Sequence, residues 1–253
     1  MLVVMAQGKV YIYGKHALTE ALRNAPGAVR KVFLSPEIHD QELKALIRKR
    51  GIAIAEFTPK NMPSDIESAS HQGVIGLVST ENLVQPYEKF ISELVVTPDT
   101  ALVLLDELQD PQNVGAIIRS AAAFGISGVL LAPHNQAPIT GSVVKVSAGM
   151  AFRVPLVQLG NVNTTLADLK KRGFWIYGLA GEGDHPLTKE KFDAPAVFIF
   201  GNESTGIRAK TREHCDILLS ISTHPRTESL NVAAAAAVTL YAWSNSHKKA
   251  LQE

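Results

Sequence analysis

Short apolar runs alternate with amphipathic ones along the chain, and the alternation breaks once. From Gly8 to Thr80, VYIY, KVFL, IAIAEF and VIGLV have the composition of strands. Between them HALTEALRN sets Ala17, Leu18, Ala21 and Leu22 on one helical face, and DQELKALIRKRG sets Leu43, Leu46 and Ile47 on another before Gly51 stops it. This predicts a compact α/β unit over residues 1–80. The stretch ENLVQPYEKFISELVVTPDT carries two prolines and no sustained period, so residues 81–99 read as a linker with a domain boundary near Asp99.

From Ala101 the alternation resumes. ALVLLDEL, GVLLAP, VPLVQL, FWIYGLAG, AVFIFG and DILLSIS predict six strands, with helices over NVGAIIRSAAAFG, around Ser142 to Ala148, over TTLADLKKRG and over RAKTREHC. Near-continuous apolar strands separated by helices point to a mainly parallel sheet covered on both faces, filling residues 100–253 as one domain. The last helix is unusual: five alanines between Val232 and Val238 leave it no polar face, so burial on most sides is expected. That helix, together with an apolar face from Ile117, Ile118, Ala121 and Ala122, predicts a homodimer built through this domain.

Composition narrows the picture only a little. The 253 residues are 46% hydrophobic and 19% charged with a formal net charge of +1. A balanced charge does not announce a nucleic-acid binder, although Lys15, His16, Arg23, Arg30, Lys31, Arg48, Lys49 and Arg50 give the first unit a local basic surface; each also fits a solvated helix face. The lone Cys215 excludes an internal disulfide. Without a CxxC, an HExxH or a Cys/His cluster no metal is expected, and without a signal-like N-terminus or a long apolar run no membrane association is expected, so a cytoplasmic location is the simplest reading.

Candidate chemistry gathers at three strand-to-loop junctions, where open α/β sheets place ligands. In DELQDPQNVGAIIRSAAAFG, Asn113 is placed to cap a helix whose Arg119 stands among alanines and isoleucines, either lying over apolar surface or serving a site. In VFIFGNESTGIR two glycines bracket Asn202, Glu203 and Ser204, which suits a plain turn or a close approach to a ligand. In THPRTESLN, Arg226, Glu228, Ser229 and Asn231 precede the alanine-rich helix, with Ser229 or Asn231 as its cap. Nucleotide fingerprints are missing: LQDPQNVGA is not G-x-G-x-x-G, GLAGEG leads to His185 and Pro186 instead of a helix, and no P-loop pattern occurs.

DPQNVGAIIRSAAAFG, FIFGNESTGIR and ESLNVAAAAAV, in this order and spacing, resemble the three signature motifs of the SpoU (TrmH-like) RNA 2′-O-ribose methyltransferases of the SPOUT superfamily. YIYGKHALTEAL and SHQGVIGLV are similar to the opening and close of the small ribosomal-protein-like RNA-binding domain that precedes this catalytic domain in bacterial 23S rRNA guanosine 2′-O-methyltransferases. The resemblance implies a C-terminal trefoil knot, an exception to the unknotted rule. It further implies S-adenosylmethionine bound largely by main chain at Leu179, Gly181, Gly201, Ile221 and Leu230, and a polar set of Asn113, Arg119, Glu203, Ser229 and Asn231. A ribose 2′-hydroxyl of RNA is the implied acceptor, most simply a guanosine of 23S rRNA. Other rRNA or tRNA sites, including those of resistance enzymes, and a noncatalytic RNA-binding assembly factor are the alternatives. Ser222 and Thr223 stand where the family usually has Pro-Met, and Pro225 and Ser204 where it usually has glycine.

Overall fold

The computed structural model describes residues 9–57, 72–79, 83–227 and 229–252. Ser70 and His71 of the motif closing the first domain, and Glu228 of the last loop, lie outside them. The chain forms two compact units, Met1–Val84 with Ile139–Arg153, and Gln85–Pro138 with Val154–Glu253.

The first unit is a four-stranded sheet with helices. Strands β1 (Lys9–Tyr13), β2 (Val29–Leu34), β3 (Ile54–Glu56) and β4 (Val74–Ser79) lie in the order β1-β4-β2-β3, with β4 antiparallel to β1 and β2. Helix α1 (Lys15–Asn24) buries Ala17, Leu18, Ala21 and Leu22, the face expected from their spacing. Gly76 of β4 lets it sit close, since a Cβ there would be 3.0 Å from side-chain carbons of Ile12 and Leu18. Asp40 caps α2 (Gln41–Lys49) by accepting from the Leu43 N–H at 2.9 Å.

Residues 139–153 were expected within the second domain, yet they pack with the first unit. Helix α5 (Gly141–Val146) buries Val143 and Val144, and a Cβ on Gly141 would be 2.1 Å from the Tyr11 carbonyl oxygen. Arg153 donates from Nε and Nη2 to the two carboxylate oxygens of Glu20, at 2.5 and 3.1 Å. Glu20 is almost fully buried; its hydrogen bonds from Arg153 hold the carboxyl below the usual range against the opposing effect of burial. A buried carboxylate without that arginine would be costly, which explains why this segment departs from the contiguous division read from periodicity.

The second unit is built on an eight-stranded sheet, β10-β12-β9-β11-β6-β7-β8-β5. Its strands are β5 (Val84–Pro86), β6 (Ala101–Asp106), β7 (Gly128–Leu131), β8 (Leu156–Gln158), β9 (Trp175–Leu179), β10 (His185–Pro186), β11 (Ala196–Gly201) and β12 (Ile217–Ser220). From β10 to β8 every adjacent pair is parallel, as the apolar strands predicted. The central β6 and β11 are buried along their whole lengths. Two edge strands of two and three residues were too short to leave a periodic signal. The supposed linker is also structured: α3 (Tyr87–Glu93) buries Tyr87, Phe90 and Ile91, and the Tyr87 hydroxyl donates to Asp168 at 2.7 Å on α6 (Val162–Lys171). The Phe90 ring occupies the space above Gly128, where a Cβ would lie 2.6 Å from it.

Helix α4 (Pro111–Ala123) packs against α8 (Val232–Ser246), and α7 (Ala209–Arg212) is a single turn before β12. Two expectations are corrected here. Ile117, Ile118 and Ala121 are fully covered within the chain and offer no free apolar face. Conversely, α8 buries Ala236, Thr239, Leu240 and Trp243 on one side but leaves Val238 and Tyr241 exposed at 42% and 57%. A helix apolar all round need not be buried all round. No helix among the described residues is long and apolar enough to cross a membrane.

Candidate active site

A cavity of about 460 Å³ opens at the carboxyl ends of β9, β11 and β12. All five positions expected to hold a cofactor line it: Leu179, Gly181, Gly201, Ile221 and Leu230. Glu203, Ser229 and Asn231 of the polar set line it as well. Its lining residues come largely from strand ends and the loops that follow them. The two glycines serve different ends. At Gly201 a Cβ would be 2.2 Å from the Gly206 carbonyl carbon, so glycine is forced by the return of the chain's own loop. A Cβ at Gly181 would meet nothing within 4 Å, so bareness there keeps space open. A cleft of this volume at strand ends is of the size that small-molecule sites occupy.

Two amides and one carboxylate form a hydrogen-bonded chain along one wall: Glu203 and Asn231 line the cavity, and Asn113, which does not, joins them from behind. The Asn113 Nδ2 donates to Glu203 Oε1 at 3.0 Å, and the Asn231 Nδ2 donates to Asn113 Oδ1 at 2.9 Å. Asn231 Oδ1 then accepts from the N–H groups of Ala233 and Ala234 at 2.8 and 3.3 Å, capping α8. A carboxylate only accepts and a helix N-terminus only donates, so both amide orientations follow from the two ends of the chain. Glu203 also accepts from the backbone N–H of Asp110 and Gln109. Burial pushes its carboxyl up, but the Asn113 amide and these N–H groups outweigh burial, leaving it below the usual carboxylate range.

Asn113 is not the cap that the sequence suggested. Asp110 caps α4, accepting from the Gln112 N–H at 2.8 Å, and Pro111 fills the first helical position. Asn113 therefore lies inside the first turn with its side chain free for Glu203 and Asn231. Arg119, on the same helix, is exposed, lines no part of the cavity and makes no hydrogen bond or ion pair among the described residues. Asn202, whose turn suited either a plain loop or a close approach to a ligand, lines the cavity: its Oδ1 accepts from the Ser204 and Thr205 N–H, and its Nδ2 donates to the Glu107 carbonyl at 2.9 Å. Cys215 lines no part of the cavity, and burial with nearby Asp216 pushes its thiol up to about 11, far from a nucleophilic thiolate at neutral pH.

Residues 100–241 match the model of the SpoU rRNA Methylase family, more than half of the chain. The chain belongs to that family. Residues 11–84 match a second model, RNA 2'-O ribose methyltransferase substrate binding. Curated relatives include the 23S rRNA (guanosine-2'-O-)-methyltransferase RlmB of Escherichia coli strain K12, 34% identical over 91% of this chain and 96% of that protein. The protein of the same name from Yersinia pestis is 36% identical over 91% and 94%. Among solved structures, the SpoU methyltransferase AviRb from Streptomyces viridochromogenes in complex with AdoMet superposes with a TM-score of 0.81 at 23% identity, covering 96% of this chain and 92% of that one. An AdoMet-bound rRNA methyltransferase from Sinorhizobium meliloti gives 0.79 at 22% identity, covering 94% and 87%. At these identities the structural likeness is one of fold, and it places this SpoU chain in the SPOUT architecture that its motifs implied.

Proposed function

We propose that this SpoU protein transfers a methyl group from S-adenosylmethionine to a ribose 2′-hydroxyl of RNA, at a guanosine of 23S rRNA. The observation that carries this reading is the cavity itself: Leu179, Gly181, Gly201, Ile221 and Leu230 line one strand-end cleft, and the Asn113–Glu203–Asn231 chain meets it there. The identity to RlmB proteins along nearly the whole chain supports the choice of RNA.

S-adenosylmethionine, when bound, supplies an electrophilic methyl; the residues present fit it through Leu179, Gly181, Gly201, Ile221 and Leu230. The rest of the work falls to the chain. The hydroxyl must lose a proton and be held in line, so positioning supplies much of the rate. A guanidinium is a poor general base because it keeps its proton across the working pH range. Orienting the hydroxyl or its phosphate needs no loss of that proton, and Arg119, exposed and without a hydrogen-bond or ion-pair partner among the described residues, suits that role. Ser229 and Asn231 face the cavity from the loop before α8 and can hold the nucleotide by hydrogen bonds.

The first unit recognises RNA through His16, Arg23, Arg30 and Arg48 to Arg50, all exposed. The working form is a cytoplasmic homodimer paired over the exposed Val238 and Tyr241 of α8, with the C-terminal segment threaded as the family's knot. Val238→Arg should halve the mass seen by light scattering at micromolar concentration; an unchanged mass removes α8 from the interface. The function is tested by mapping 2′-O-methyl groups on rRNA and tRNA from a deletion strain and its complement. A 23S guanosine that loses and regains its methyl supports the reading, a tRNA site would redirect it, and no change anywhere would favour an assembly factor.

A further inference from the structure

The cavity wall formed by residues 202–206 is anchored from outside the cavity. Asp106, the last residue of β6, is fully buried at the end of a strand that is otherwise apolar. It accepts three hydrogen bonds from Arg208: Nε at 3.0 Å and Nη2 at 2.6 Å on Oδ1, and the backbone N–H at 3.3 Å on Oδ2. The remaining prong, Nη1, pairs with Glu107 Oε1 at 2.8 Å. Glu107 has a φ of 67°, the left-handed region that a non-glycine residue enters only when its surroundings hold it there. What holds it is visible: its side chain meets Arg208 and its carbonyl accepts from Asn202. The loop is thus tied to the end of β6 at its start through Asn202 and at its finish through Arg208. Glu203 and Gly206, which line the cavity, lie between the two ties.

We propose that Arg208 is a positioning residue for the methyl donor: its fork on Asp106 and Glu107 sets the 202–206 wall, and through Glu203 the Asn113 amide, in the binding shape. The proposal rests on reading the cavity as the S-adenosylmethionine site. Arg208, Asp106 and Glu107 line no part of the cavity, so the effect is transmitted and not made by contact. A planar guanidinium can engage both carboxylates at once. A lysine ammonium can neutralise Asp106 but cannot also span to Glu107 in the same geometry.

The test is Arg208→Lys in the intact chain, read by calorimetry with S-adenosylmethionine, by separate KM values for donor and RNA, and by melting without ligand. Donor Kd and KM should rise about tenfold, while the KM for RNA stays within about twofold and turnover at saturating donor stays near that of the parent. Should the lysine variant fail to fold, the paired change of Asp106→Asn with Arg208→Gln removes the buried charge together with its partner and should give the same selective loss. Unchanged donor affinity in a folded variant overturns the proposal. So does a loss of donor and RNA affinity in equal measure that follows a fall in melting temperature, or failure of both variants to fold, since each marks a structural role only. If the parent does not bind the donor, the reading of the cavity falls and the positioning role with it; if the parent binds and the variant binds equally, only the positioning role falls.

Discussion

The two ends of α4 present opposite conditions. Near its start Asn113 is buried and joined to Glu203 and Asn231, whereas six residues on Arg119 is exposed and joined to nothing among the described residues. One end backs a wall that the chain completes by itself. The other carries a strong hydrogen-bond donor turned to solvent and open to a partner from outside the chain, RNA on the reading above. Substitutions at the first end should therefore disturb stability and donor binding together, and substitutions at the second should disturb turnover alone.

The sharpest break of that contrast is Arg119→Ala. Methyl transfer should fall by about 10²–10³-fold while donor affinity stays within a few-fold, measured by single-turnover transfer alongside calorimetry. A parallel loss of donor binding would group Arg119 with Asn113, among the residues that hold the wall. Next comes Gly201→Ala, whose Cβ would lie 2.2 Å from backbone and force the loop away, costing about 3 kcal/mol in denaturant unfolding and most of the donor affinity. Gly181→Ala is its control: with open space around the Cβ it should cost no more than about 0.5 kcal/mol of stability.

Asn113→Ala leaves Glu203 without one donor and Asn231 without its acceptor, so about 2 kcal/mol of stability should go, with weaker donor binding. Glu203→Gln is milder and sets a pH dependence. The folded carboxyl is held below its ordinary value, so its contribution is present at neutral pH and down to the ordinary carboxylate range, then lost as pH falls through the lowered value. Relative to the parent, the glutamine variant should show a shallower loss of stability on acidification below about pH 4.5, where the carboxylate ordinarily titrates. Equal slopes in the two proteins would mean that Glu203 is not held by Asn113 in solution.

What could be read from the chain follows the same division. The strand ends and their glycines were legible because apolar runs stopped at polar or glycine residues, and α8 was legible because alanine at consecutive positions admits few other readings. Asn113 was placed in the site but given the wrong local job, because Asp110 with Pro111 outcompetes it as a cap and frees its side chain. Asp106, Glu107 and Arg208 were passed over. Their one signal, a charged residue closing an otherwise apolar strand, means little until the partner 102 residues away is known. Local pattern also could not show that residues 139–153 belong with the first unit, since Glu20 and Arg153 are 133 positions apart. Removing residues 1–98 is consequently no clean excision: it would take Tyr87, Phe90 and Ile91 from the second unit's core and strip Arg153 of its buried partner.

The most direct test incubates the intact chain and its Arg119→Ala variant with labelled S-adenosylmethionine and protein-free 23S rRNA, then maps the methyl group to atom and nucleotide. The account predicts a single guanosine methylated at the ribose 2′-oxygen by the parent, with the variant binding the donor but leaving the RNA unmodified. A methyl group on a base, or a parent chain that binds the donor and modifies no RNA, would contradict it.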